Sequence, residues 1–243
     1  GYHTEEWHNI PYKECDSTKA KYRGLKDELL CRADSDWNSK DPTLHFHDIS
    51  AHQKYLIEKY GIDDDPSTTH NELFFDIETD FDPERGFADP SDPFMPITAI
   101  TVHLQWLDAL ITLAVPPKTI TMEQAKEQCK EWGEECILFA KEADMLETFL
   151  DLIEDSDILT GWNSEGYDIP YTVNRVSRVL SKDDTRRFCL WKQLPKKREY
   201  EKYGKSAETY DLVGRVHLDS LELYRKYTYE ERHTYRLDAI GEL

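Results

Sequence analysis

One eight-residue run constrains this chain more than any other: Leu73-Phe74-Phe75-Asp76-Ile77-Glu78-Thr79-Asp80. It is short, apolar and aromatic, and so predicts a strand. Side chains along a strand alternate between faces, which puts Asp76 and Glu78 on one side and Phe75 and Ile77 on the other. Two carboxylates about 7 Å apart along a strand suit hard cations that prefer oxygen ligands, such as Mg²⁺ or Mn²⁺. Acid-x-acid pairs are common where 49 of 243 residues are Asp or Glu, and most are simply solvated. The apolar setting separates this pair from the rest. Its neighbours imply a buried strand, and burying two like charges without a cation costs several kcal/mol.

A second acidic motif follows at Thr160-Gly161-Trp162-Asn163-Ser164-Glu165-Gly166-Tyr167-Asp168-Ile169-Pro170. Residues 157–161 predict a buried strand. Ile169, Val173, Val176 and Leu180 step by four, three and four, a helical stripe with Pro170 tolerated in its first turn. Gly166 is the expected site of a tight turn between them. Asp168 then opens the helix, where a carboxylate reads either as an N-cap worth about 1 kcal/mol or as a third metal-binding acid. Asn163 and Tyr167 weigh toward the second, because an amide and an aromatic ring on the same loop suit a sugar and a terminal base.

The rest of the chain supplies the frame. Residues 97–104 and 107–115 predict an antiparallel hairpin turning at Gln105-Trp106, and 136–140 a further strand. Residues 142–155 predict a helix with Met145, Leu146, Phe149, Leu150 and Ile153 on one face. Residues 216–219 predict a strand feeding a helix. Three antiparallel strands followed by alternating strands and helices suit an α/β domain with an RNase H-like mixed sheet and flanking helices. Residues 1–70 read as a separate, polar and irregular region with one helix at 51–60 ending at Gly61, then a linker at 63–69.

Composition sets bounds. The net charge is −19, unusual for a DNA-binding chain. Between Arg175 and Lys205, however, eleven Lys or Arg stand against four Asp or Glu, a stretch suited equally to a solvated surface or to phosphate contact. No apolar run approaches the roughly 18 to 20 residues that span a bilayer, and no secretory signal is visible, so a membrane is not an expected partner. Five scattered cysteines without a CxxC predict reduced thiols in the cytoplasm. His45, His47 and His52 lack the further close ligand that a zinc site wants.

Asp-Ile-Glu-Thr on a strand, followed about ninety residues later by Asn-x-x-x-Tyr-Asp, resembles the first two exonuclease motifs of family B DNA polymerases of the phage type. Thr160 to Val176, Tyr203-Gly204, residues 218–221, 223–226 and 235–240 are similar to the same family. The resemblance implies a partial polymerase N-terminal domain over 1–70 and a 3′-5′ exonuclease domain over 71–243. It implies that Asp76 bridges two Mg²⁺ or Mn²⁺ ions, that Glu78 holds the one activating water, and that Asp168 helps hold the other. Thr79, Asn163 and Tyr167 become contacts for the nucleic acid. The implied partners are the single-stranded 3′ end of a primer-template, a C-terminal polymerase portion and a sliding clamp. The implied setting is the cytoplasm of a phage-infected cell.

The chain departs from the family pattern in one respect. The third exonuclease motif, Tyr-x-x-x-Asp on a late helix, has no counterpart after residue 168. Tyr12/Asp16 and Tyr60/Asp64 come too early, and the residue four before Asp238 is Thr234. The expectation is an exonuclease domain incomplete at its C-terminus, in a fragment or in one half of a split polymerase. Two alternatives stay open: a nucleic-acid-binding half without catalysis, and a free-standing exonuclease whose fourth acid is Asp219 or Asp238.

Overall fold

A computed structural model describes residues 11–24, 26–34, 36–45, 47–48, 53, 69–132, 135–202, 205–228 and 232–241. The helix expected at 51–60, most of the 63–69 linker and the Tyr203-Gly204 pair lie outside the described residues. The chain divides into two units, Gly1–Thr68 and Thr69–Leu243.

The first unit holds four short strands, β1 (Tyr12–Glu14), β2 (Tyr22–Arg23), β3 (Leu29–Arg32) and β4 (Leu44–His45). They form one antiparallel sheet in the order β2-β3-β1-β4. Leu30 and Tyr12 are buried in it, and the Tyr12 and Tyr22 rings stack at 4.5 Å. The sequence reads as irregular here because two- to four-residue strands are too short to show a period. His45 bonds Glu14 at 3.1 Å, while the His47 ring lies edge-on to Trp37.

The second unit is built on a six-stranded mixed sheet. Its strands are β5 (Glu72–Thr79), β6 (Ile97–Leu104), β7 (Ala109–Ala114), β8 (Glu135–Leu138), β9 (Ile158–Gly161) and β12 (Val216–Asp219), in the order β12-β9-β5-β6-β7-β8. β5, β6 and β7 run antiparallel to one another, β8 adds in parallel beside β7, and β9 and β12 add in parallel on the far side of β5. A meander followed by parallel strands added at its first member is the RNase H-like arrangement expected above. The β6–β7 turn is a 3₁₀ turn at Gln105–Leu107, closed by Asp108 in the left-handed region (φ 49°). Asp can occupy that region because its short polar side chain bonds locally.

The helices are α1 (Met122–Trp132), α2 (Glu142–Leu152), α3 (Asp168–Val179), α4 (Ser220–Tyr227) and α5 (Leu237–Gly241). Met145, Leu146, Phe149 and Leu150 of α2 and Ile169, Val173 and Val176 of α3 are buried with Leu73, Phe75 and Ile77 of β5. Each fully buried side chain of this kind contributes about 1.5–3 kcal/mol. A buried ion pair locks α3 to α2. Arg175 meets Glu142 in two 2.7 Å bonds and also donates to the Pro93 carbonyl.

Besides the four short strands of the first unit, a helix and a hairpin were not foreseen. α1 begins with a capping box that the sequence carries openly. The Thr121 N–H donates to Gln124 Oε1 at 2.8 Å, and the Gln124 N–H donates to Thr121 Oγ1 at 3.2 Å. The other is the antiparallel hairpin of β10 (Lys196–Lys202) and β11 (Lys205–Asp211), whose charged strands hide the usual apolar alternation.

Candidate active site

β5 has two unlike faces. Leu73, Phe75 and Ile77 point into the core, while Phe74, Asp76 and Glu78 lie on the other face, in contact with solvent. The alternation is the one expected, but the strand is buried on one side only. Asp76 is half-buried, and its carboxyl is pushed above the usual range by burial first and by the charge of Glu78 second. A cleft of about 270 Å³ opens on the same face, lined by Phe74, Asp76, Thr101, His103, Trp162 and Leu237 among others.

Asp168 sits on the first turn of α3 and is 4% exposed. It does not cap the helix. The cap position is Tyr167, and Asp168 instead reaches across to β5, accepting the Ile77 N–H at 3.2 Å. The reason lies in the sheet. β9 pairs with β5 only from Glu72 to Phe74 and stops at Gly161, so the β5 edge beyond Phe74 loses its strand neighbour. Asp168 satisfies an N–H that would otherwise be buried without an acceptor. Burial first, then the charge of Asp76, and less strongly that of Asp219, push its carboxyl up to about 7. Ile77 lies between Asp76 and Glu78, so this bond brings the third acid to the motif that holds the first two.

Gly161 makes the approach possible. A Cβ there would lie 2.6 Å from the Phe75 carbonyl oxygen, inside any tolerable contact. The loop that follows turns over residues 164–167, with Gly166 in the turn as expected, but its left-handed residue is Asn163 (φ 59°). Asn tolerates this conformation better than other residues with side chains. The Asn163 carbonyl accepts the Gly166 and Tyr167 N–H groups at 3.0 and 3.1 Å. Tyr167 then places its hydroxyl 3.3 Å from Thr79 Oγ1, at the end of β5. Tyr167 and Asp168, adjacent at the junction of the loop and α3, thus both meet β5, at Thr79 and at Ile77. Burial raises the Tyr167 phenol, so it is a neutral hydroxyl at ordinary pH.

The two other acids considered from sequence have different surroundings. Asp219 ends β12 beside Gly161 and is buried, its oxygens accepting three backbone N–H groups from Asn163, Glu165 and Leu221. Asp238 is exposed on α5, where it accepts its neighbour's Ala239 N–H. Sequence reading did not single out Asp219 as a scaffold. A carboxylate just before a helix signals a cap, but bonds to a loop more than fifty positions away leave no local trace. Nor did it find Ser164, fully buried and bonded to His217 Nε2 at 2.9 Å.

The basic stretch is largely committed within the chain. Arg175, Arg178, Arg186, Arg187, Lys197 and Arg198 each pair with an acid: Glu142, Asp92, Asp183, Asp151, Glu208 and, for Arg198, both Glu165 and Asp211. These are six of the eleven basic residues of the stretch, which suits a solvated surface for them and leaves phosphate contact open for the others.

Among the described residues no three His, Cys, Asp or Glu groups gather into a ready cation cage. The donor chemistry still fits divalent ions. The acids offer hard oxygens, and a cation would relieve both the burial of Asp76 and Asp168 and the repulsion each feels, Asp76 from Glu78 and Asp168 from Asp76.

Comparison with known families matches residues 36–240 to the exonuclease domain of DNA polymerase family B. The DNA-directed DNA polymerase of Enterobacteria phage T4 is 35% identical over 106 residues, covering 43% of this chain and 12% of the relative. The DNA-directed DNA polymerase of Escherichia phage RB69 is 30% identical over 187 residues, covering 69% of this chain and 20% of the relative. The chain therefore spans no more than about a fifth of the length of these curated relatives.

Proposed function

The chain belongs to the family of DNA polymerase family B exonuclease domains, and from that premise we propose that Asp76, Glu78 and Asp168 form a 3′-5′ proofreading site that removes the terminal nucleotide of a DNA strand as its monophosphate. The observation that carries the reading is the bond from Asp168 to Ile77. It joins a buried carboxylate from one motif to the backbone between the two carboxylates of the other.

Two Mg²⁺ or Mn²⁺ ions held by these acids would make a bound water acidic enough to attack and would offset charge on the leaving 3′ oxygen. The chain's own residues do the placing. Asp76 and Glu78 present ligands from a strand whose other face is packed, so their spacing is set by the sheet. Asp168 is pinned by a backbone N–H and cannot drift from β5. Thr79 and Tyr167 form a hydroxyl pair at the strand end, and Asn163 projects from the adjoining turn; these three are proposed to hold the terminal sugar and base.

On the same premise the partners proposed are the single-stranded 3′ end of a primer-template, a polymerase portion and a sliding clamp, acting in an infected host cell. Among the described residues no helix is long and apolar enough to cross a membrane.

The test is nucleotide release from a 3′-labelled single-stranded oligonucleotide, with this chain alone and with a polymerase carrying it as its exonuclease region. Release is expected to need Mn²⁺ or Mg²⁺, and D76A and E78A are each expected to reduce it by about a hundredfold or more, roughly the 2.7 kcal/mol or more that lost transition-state electrostatics costs. Release that survives both substitutions would falsify the assignment. Oligonucleotide binding that persists in EDTA, with no release after Mn²⁺ is added in either form, favours a binding module without catalysis.

A further inference from the structure

Asp219 holds the loop that leads into the candidate site, and it does so with all of its short side chain. Oδ1 accepts the Asn163 N–H at 3.0 Å and the Leu221 N–H at 2.9 Å, and Oδ2 accepts the Glu165 N–H at 3.0 Å. Only the Leu221 bond is an ordinary helix cap, at the start of α4. The other two reach a segment 56 and 54 positions away, which a cap alone does not require. Two positions earlier on β12, His217 holds Ser164 of the same loop at 2.9 Å. The end of β12 therefore grips three successive loop residues, Asn163, Ser164 and Glu165.

The grip passes onward. Asn163 is held in a left-handed turn, and its carbonyl fixes the Tyr167 N–H, whose side chain meets Thr79. Asp168 has a separate anchor at Ile77, and Asp76 and Glu78 are set by β5 itself. Building on the exonuclease reading above, we propose that Asp219 is a positioning residue for the DNA end. It acts through the loop backbone to set Asn163 and Tyr167, and it holds no metal ion.

The test compares the parent chain with D219A, which loses all three acceptors, and D219N, which keeps Oδ1 for Asn163 and Leu221 but replaces Oδ2 with a donor. Three quantities are read: amide exchange at Asn163 and Glu165, affinity for a single-stranded deoxythymidine oligomer with a free 3′ end in Ca²⁺, and affinity for Mn²⁺ alone. D219A is expected to speed exchange at both amides and weaken oligomer binding by about tenfold, the 1.4 kcal/mol of one such step in affinity. D219N is expected to free Glu165 selectively and lose less affinity. Mn²⁺ affinity is expected to stay within about twofold, and in nucleotide release KM is expected to rise more than kcat falls.

Loop amides that stay protected in D219A overturn the proposal. So does a freed loop with unchanged oligomer affinity, and so does a parallel loss of Mn²⁺ binding, which would make Asp219 a ligand. If D219A does not fold, D219N and its Glu165 exchange carry the same comparison. A parent chain that binds no oligomer removes the exonuclease reading and the Asp219 role together, whereas a parent that binds with D219A equal to it removes only the latter.

Discussion

At the scale of single residues, Asp168 combines a structural bond with an electrostatic cost. Its carboxyl titrates at about 7 in the folded chain against 3.8 for an ordinary Asp. The protonated form is therefore favoured by folding. The stabilisation is fully present below pH 4 and is lost as the pH rises through 7. In EDTA the chain is expected to be less stable at pH 8 than at pH 5, by about 2.7 kcal/mol from this group, two pH units at about 1.36 kcal/mol each. D168N keeps an oxygen for the Ile77 N–H and carries no charge, so it is expected to match the parent near pH 4 and exceed it at pH 8. Urea unfolding at the two pH values checks both statements. Adding Mn²⁺ at pH 8 is expected to raise the melting temperature of the parent more than that of D168N, which keeps Asp76 and Glu78 but loses one proposed ligand, because stabilisation follows the ions bound.

At the scale of elements, the site depends on how closely β9 ends against β5 and on how α3 is held to α2. G161A drives a methyl group to 2.6 Å from the Phe75 carbonyl. It is expected to cost about 1–3 kcal/mol by displacing β9 from the sheet, measured as a lower urea midpoint at unchanged slope. Glu142 and Arg175 form a pair whose side chains are 13% and 11% exposed. E142A leaves the part-buried Arg175 guanidinium with only the Pro93 and Phe94 carbonyls as partners, and the expected loss is about 1.5–3 kcal/mol in the same measurement. Both strands of the β6–β7 hairpin and the core helices were legible from β-branched runs and from four-three-four spacing. α1 was equally legible through its capping box but has a weak apolar face. The β10–β11 hairpin was not legible, since its strands are held by cross-strand pairing and carry mostly charged side chains.

At the scale of the whole molecule, the net charge is −19, and six of the eleven basic residues between Arg175 and Lys205 are already paired with acids, which lowers their pull on phosphate. Single-stranded binding loses roughly 0.7 log units of affinity per decade of salt for each phosphate neutralised, so a slope shallower than about 3 is expected. Titration by fluorescence anisotropy between low and moderate salt measures it. On the proposed reading, a shallow slope would mean that the strand end is held by divalent ions and the loop from 162 to 167 more than by a basic groove.

Sequence alone determined which residues bear charge on β5, because strand alternation is a local property that needs no knowledge of neighbours. It likewise marked the second motif, the helix that follows it and the family to which both point. Tertiary structure decided what those residues do with their bonds. It showed β5 buried on one face only, gave Asp168 the orphaned Ile77 N–H in place of the helix-cap bond that was one of its two readings, put a left-handed residue at Asn163 at the head of the turn that holds Gly166, and gave Asp219 the bonds that hold the loop. The physical reason is common to all four. Which face a strand leaves open and which backbone groups lack a partner are settled where separate segments meet, and bonds between positions more than fifty apart leave no period or spacing in the chain.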